Sequence, residues 1–165
     1  MTRMPLLLLM SLLIAGCWYD PEAGTRPIAT VKEPEKPEKP LYQRLGGEKG
    51  IARIVDEWIS RSLDNPRVNF TRHGTDVNWN DSEPGVARLK SAFVQFISAA
   101  AGGPSKYEGP EMQRVHQGMK ITGGEFDAMK KDLKETLKNL KVGEKEQNDL
   151  FKVIESVRKD IVEVP

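Results

Sequence analysis

Residues 102–122 read GGPSKYEGPEMQRVHQGMKIT, and the rest of the chain is best read outward from them. Gly102-Gly103-Pro104 ends the helix before it, because glycine permits a left-handed cap and proline forbids continuation. After Tyr107-Glu108-Gly109, residues Met112, Val115, His116 and Met119 are spaced to share one face of a short segment. Thr122 and Glu125 then form a capping-box pattern, so a helix opens there and runs through Phe126, Met129, Leu133, Leu137 and Leu140. A histidine thus lies on an apolar face between two longer helices. Such a lone histidine is ordinarily a satisfied core or boundary residue, so the pattern by itself assigns no ligand.

Upstream, Val86, Leu89, Phe93, Phe96, Ile97 and Ala100 make an apolar stripe at helical spacing, opened near Pro84. Before it, Ile51, Ile54, Val55 and Trp58 make another, introduced by Gly46-Gly47 and stopped by Asn65-Pro66. Downstream, Leu150, Val153, Ile154, Val157 and Ile161 predict one last helix. No stretch alternates strictly enough for a strand, so the fold class is all-α. Residues 68–83 are polar and irregular, with Asn78, Asn80, Asp81 and Ser82 opposing regular structure.

The inventory narrows the chemistry. The 165 residues suit one domain plus appendages, and 25 basic against 24 acidic side chains give a net charge of +1. Neither sign dominates enough to point to nucleic acid as a partner. There is no glycine-rich phosphate loop, no His-Glu-x-x-His, and only His73 and His116 among histidines. A nucleophile–base–orienter site or a multi-histidine metal centre is hard to assemble from that set. Chemistry, if any, must come from a bound cofactor.

Residues 1–16 carry Arg3, then a short apolar run, then Ala15 and Gly16, the plan of a secretion signal. Ile14-Ala15-Gly16-Cys17 resembles the lipobox of bacterial lipoproteins, which implies lipidation of Cys17 and a chain held at a membrane of the cell envelope, on its periplasmic or surface side. Two or more acyl chains suffice for such anchoring. Cys17 is the only cysteine, so no intrachain disulfide forms. Residues 17–40, rich in Pro, Glu and Lys, read as a semi-rigid spacer, and residues 41–165 as the folded domain.

The central stretch, together with Leu41-Tyr42 and Leu45-Gly46-Gly47, resembles the signature of group 1 truncated haemoglobins, and the resemblance extends over about residues 41–162. It implies a shortened globin fold, two antiparallel helix pairs sandwiching haem b (iron protoporphyrin IX), with a diatomic gas (O2, NO or CO) bound at the iron. By the same resemblance His116 is the proximal iron ligand, its other ring N–H donated to a backbone carbonyl. Leu89, Phe93 and Ile97 lie on the distal helix face, Phe70 packs on the porphyrin, and Phe126 lines the proximal side. Met112, Val115, Met119 and Ile121 surround the ligand, while Lys90 and Tyr107 reach the haem propionates. His73, in the irregular stretch, receives no iron role and is expected to face solvent.

Two departures bear on function. Members of that family commonly carry a tyrosine on the first long helix and often a glutamine on the distal helix, where this chain has Trp58-Ile59 and Phe93. Both expected donors to bound O2 are absent, leaving the Trp58 N–H or a polar group from residues 68–80 as substitutes. Weak polar stabilisation favours NO or CO and speeds O2 release. The competing readings are a haem-dependent redox enzyme, such as a nitric oxide dioxygenase or peroxidase-like protein served by a reductase, and a haem-free globin-like interaction module.

Overall fold

The glycines flanking the first long helix have a steric cause. A Cβ on Gly50 would collide with the Leu45 carbonyl oxygen, and Gly46 adopts a left-handed φ of 87°. In the computed structural model, which describes residues 37–72, 74–75, 77 and 82–164, this corner joins α1 (Leu41–Arg44) to α2 (Gly47–Leu63). The remaining helices are α3 (Glu83–Ala100), α4 (Met112–His116), α5 (Gly123–Asn139), α6 (Glu144–Ser156) and α7 (Arg158–Ile161). Among the described residues there is no strand, only one isolated bridge between Thr122 and Val164. The all-α expectation holds. The expectations for Cys17, residues 1–16 and His73 lie outside the described residues.

The helix ends follow local chemistry. At the end of α3, Gly102 is left-handed with φ 79°. Its N–H donates to the Ala99 carbonyl at 3.1 Å while the Gly103 N–H donates to Ser98 at 2.8 Å, the paired bonds of a Schellman cap. At the start of α5, the Thr122 hydroxyl accepts from the Glu125 N–H at 3.1 Å and the Glu125 carboxylate accepts from the Thr122 N–H at 2.7 Å. The capping box read from sequence is present.

The single last helix expected from sequence is broken into α6 and α7. The Ser156 hydroxyl donates to the Val153 carbonyl at 2.7 Å, taking the acceptor that a continuous helix would offer the Val157 N–H. That N–H turns to Ile154 at 3.4 Å, and α6 gives way to α7 there. The folded unit also begins earlier than Leu41. The Glu38 carboxylate accepts from Lys145 at 2.6 Å, the Lys39 carbonyl accepts from Arg44 at 3.1 Å, and Pro40 packs beside Gly102.

The core is built on α2, which packs against both α3 and α5, while α5 packs on α6 and α1 on α6. Ile51, Ile54, Val55, Trp58 and Ile59 are buried from α2 and meet Leu133 and Leu137 of α5, Leu150 and Ile154 of α6, and Ile97 of α3. Each such side chain stabilises the fold by about 1.5–3 kcal/mol through burial. Trp58 stands at the crossing: its ring meets Phe93 edge to face at 5.2 Å, and its N–H donates to the Met129 carbonyl at 2.8 Å. Arg44 ties α1 to α6 through Glu146 at 2.7 Å and Asp149 at 2.6 Å.

Candidate functional site

The site is built around the short helix that immediately precedes the capped one. α4 has five residues and buries none of them fully. A helix that short is not stable on its own, so its position is set by what lies against it. His116 closes it, half-buried, and its Nδ1 lies 2.7 Å from the Met112 carbonyl oxygen. A carbonyl only accepts, so Nδ1 carries the proton and donates. Nε2 then presents a lone pair, and among the described residues it has no hydrogen-bond partner. Burial lowers the His116 pKa below the ordinary 6.5, with Arg72 acting in the same sense, against the Met112 bond and Glu163, which raise it. The ring is neutral at physiological pH, the form that ligates a metal.

The apolar side chains nearest His116 in sequence are not fully buried. Met112, Val115, Met119 and Ile121 are all half-buried and stand apart from the main core cluster. On α3, Val86, Leu89, Phe93 and Phe96 are likewise only partly buried, whereas α2 buries its stripe almost completely. The Tyr107 ring meets Phe96 edge to face at 5.8 Å, with its hydroxyl end so close to Gly109 that a Cβ there would collide. Phe70 packs on the edge of the core beside a groove of about 390 Å³ that it shares with Leu63, Val68 and Thr71.

Beneath the site runs a buried ion pair absent from the sequence reading. Arg72, 6% exposed and left-handed at φ 54°, donates to the Glu125 carboxylate at 2.9 Å. Glu125 thereby serves both the α5 cap and the loop before α3. No group of three or more metal-ligating side chains occurs among the described residues. A single neutral imidazole in apolar surroundings is a poor site for a bare ion. It fits a metal whose other ligands arrive with it.

Residues 40–163 match the family model of bacterial-like globins. The chain belongs to that family. Within it, this globin is a group 1 truncated haemoglobin: it is 32% identical to the group 1 truncated hemoglobin of Tetrahymena pyriformis over 122 residues, which are 74% of this chain and 93% of that one. The crystal structure of the Tetrahymena pyriformis truncated hemoglobin in its Fe(III) form superposes with a TM-score of 0.63 at 31% identity, over 75% of this chain and 98% of that one. The 2/2 hemoglobin from Synechococcus, solved in the cyanomet state with covalently attached heme, gives 0.64 at 27% identity over the same shares. The truncated globin fold expected from the central stretch is therefore the fold of this chain.

Trp58 is not a spare donor for a bound gas, because its N–H is engaged by Met129 and the ring is 1% exposed. Ile59 is fully buried and Phe93 half-buried against Trp58, so carbon and not a hydroxyl or amide stands at these two positions. Lys90 is held against α2, its ammonium donating to Asp56 at 2.7 Å and Ser60 at 3.1 Å. Phe126 is buried at the start of α5 with the Arg158 guanidinium over its ring at 4.8 Å. Sequence reasoning missed Arg72, Arg158 and Glu163, which act through partners 31 to 53 residues away and carry no periodic signal.

Proposed function

We propose that this globin carries haem b against the apolar faces of α3 and α4 and reversibly binds a diatomic gas, with His116 as the iron ligand. The observation that carries the reading is the protonation geometry of His116. Its proton is committed to the Met112 carbonyl, so the lone pair on Nε2 faces away from the helix, held neutral by burial. Haem, when bound, would supply an iron that His116 would hold through Nε2 and at which a diatomic gas would bind.

The chain's own residues set the terms. Met112, Val115, Met119, Ile121 and Phe126 supply the proximal surround, and Leu89, Phe93 and Phe70 the opposite faces, all of them excluding water. Tyr107 is suited to hold a propionate through its hydroxyl, whereas Lys90 does so only by giving up Asp56 and Ser60. With carbon at Ile59 and Phe93, the described distal side favours ligands that need little polar stabilisation, NO or CO ahead of O2. Keeping the iron ferrous calls for a reductase as a further partner.

The proposal extends to location on sequence grounds. Ile14-Ala15-Gly16-Cys17 supports a lipid anchor on Cys17, with the Pro/Glu/Lys-rich residues up to 40 as spacer, at a membrane of the bacterial envelope. Among the described residues no helix is long and apolar enough to cross a membrane.

The test is an absorption spectrum of the haem-treated chain in ferric, ferrous and CO forms, beside His116→Ala. A Soret band with a CO shift is expected, together with loss of haem from the variant. A chain that stays colourless, or a variant with the same haem affinity and spectrum, overturns the reading.

A further inference from the structure

We infer that Glu163 is a positioning residue for His116, acting through a C-terminal strap that holds the turn after α4. The inference rests on the reading of His116 as the iron ligand. α4 has neither the length nor the buried side chains to fix itself, and it packs against α7. Past α7 the chain runs along the segment that follows the histidine. The N–H groups of Glu163 and Val164 donate to the Ile121 carbonyl at 2.9 and 3.1 Å, and the Gly123 N–H donates to Val164 at 3.0 Å.

The Glu163 side chain adds the contact nearest the histidine. One carboxylate oxygen accepts from the Gly118 N–H at 2.7 Å and the other from the Lys120 N–H at 2.6 Å. Both donors have left-handed backbones, φ 82° and 52°, and two such N–H groups form a concavity suited to an anion. Lys120 is not a glycine, so its conformation is strained and persists because its surroundings hold it. The Met119 N–H donates to the His116 carbonyl at 3.0 Å, so the clamped turn is continuous with the ligand-bearing helix.

The other end of the strap is equally fixed. Arg158 donates to both oxygens of Asp127 at 2.6 and 3.2 Å and covers the Phe126 ring. α7 and residues 162–164 thus span from α5 to the turn after His116, and Glu163 is where that span grips the turn. Loss of its carboxylate frees the turn, and the aim of the imidazole loosens with it.

The experiment compares the full chain with Glu163→Gln and Glu163→Ala, using Ile154→Val as a control that weakens the core away from the strap. In the haem-free chain, amide exchange at Gly118 and Lys120 is expected to accelerate about tenfold in Glu163→Ala and less in Glu163→Gln, which keeps one acceptor. In the haem-loaded chain, transfer of haem to an excess of a haem-free globin is expected to be about three- to tenfold faster in Glu163→Ala. The iron–histidine stretching band of the ferrous form is expected to shift or broaden in the Glu163 variants and to stay unchanged in Ile154→Val. Glu163 variants that match the control in exchange, haem transfer and band position overturn the inference. If His116→Ala leaves the spectrum unchanged, the iron-ligand reading fails instead, and the exchange measurement still decides whether Glu163 holds the turn.

Discussion

The Trp58 indole N–H donates to the Met129 backbone carbonyl across 2.8 Å, joining α2 to α5. That bond engages the one side-chain donor that Trp58-Ile59 offers in sequence. Trp58→Phe is expected to lower stability by about 2 kcal/mol, from the lost hydrogen bond and the void left by the smaller ring. O2 dissociation is expected to stay nearly the same. Denaturant unfolding and stopped-flow ligand release measure the two, and a marked acceleration of release would show Trp58 acting on the gas after all.

Ile59 is fully buried one position further along, where the family commonly carries tyrosine. Ile59→Tyr places a hydroxyl on that side and is expected to slow O2 dissociation about tenfold, on a new hydrogen bond of about 1–2 kcal/mol. CO dissociation changes less, because CO gains less from a donor. Overpacking is expected to cost about 1–3 kcal/mol of stability. Equal effects on O2 and CO would point to a steric change and remove the polar argument.

Acid stability follows from Arg44. Its hydrogen bonds hold the carboxyls of Asp149 and Glu146 below their ordinary values of 3.8 and 4.5. A carboxylate whose pKa is lowered by folding stabilises the native state above its unfolded value, and the contribution is lost as pH falls through the folded value. Arg44→Met is therefore expected to be less stable than the parent near neutrality, with the gap closing as pH falls below about 4. Unfolding midpoints measured across pH check this. A gap that widens in acid contradicts the assignment.

The fold was legible where a single local rule decided it. Thr122 and Glu125 announce their helix because the capping box is closed within four residues, and Gly102-Gly103-Pro104 announces an end because only glycine sits easily in that cap. The bond from the His116 ring to a backbone carbonyl was legible because its partner, Met112, lies only four residues away. Arg72, by contrast, pairs with Glu125 across 53 residues from an irregular loop, and Glu163 meets Gly118 across 45. No periodicity marks such partners, since their meeting depends on how the helices have already packed. The break at Val157 was missed for a different reason: Ile161 continues the apolar stripe, and the competing Ser156 hydroxyl is a bond that pattern reading does not weigh.

The end of α5 was also not marked in sequence, and it carries the last prediction. The Lys141 N–H donates to the Lys138 carbonyl at 3.0 Å and the Val142 N–H to Leu137 at 2.9 Å, the same paired bonds that close α3, but the left-handed position is Lys141 at φ 55° rather than glycine. A side chain there costs about 1–2 kcal/mol through the clash of Cβ with the following carbonyl. Glycine removes that cost but gives the unfolded chain about 0.5–1 kcal/mol of extra freedom. Lys141→Gly is therefore expected to stabilise the globin by about 0.5–1 kcal/mol, raising the unfolding midpoint by roughly 2 °C. Lys141→Ala keeps the Cβ and removes the charge, so it is expected to gain nothing. Thermal unfolding of all three proteins at one haem loading makes the comparison, because bound cofactor shifts each midpoint equally only when its saturation is matched. Should alanine stabilise as much as glycine, surface charge and not backbone strain governs this corner.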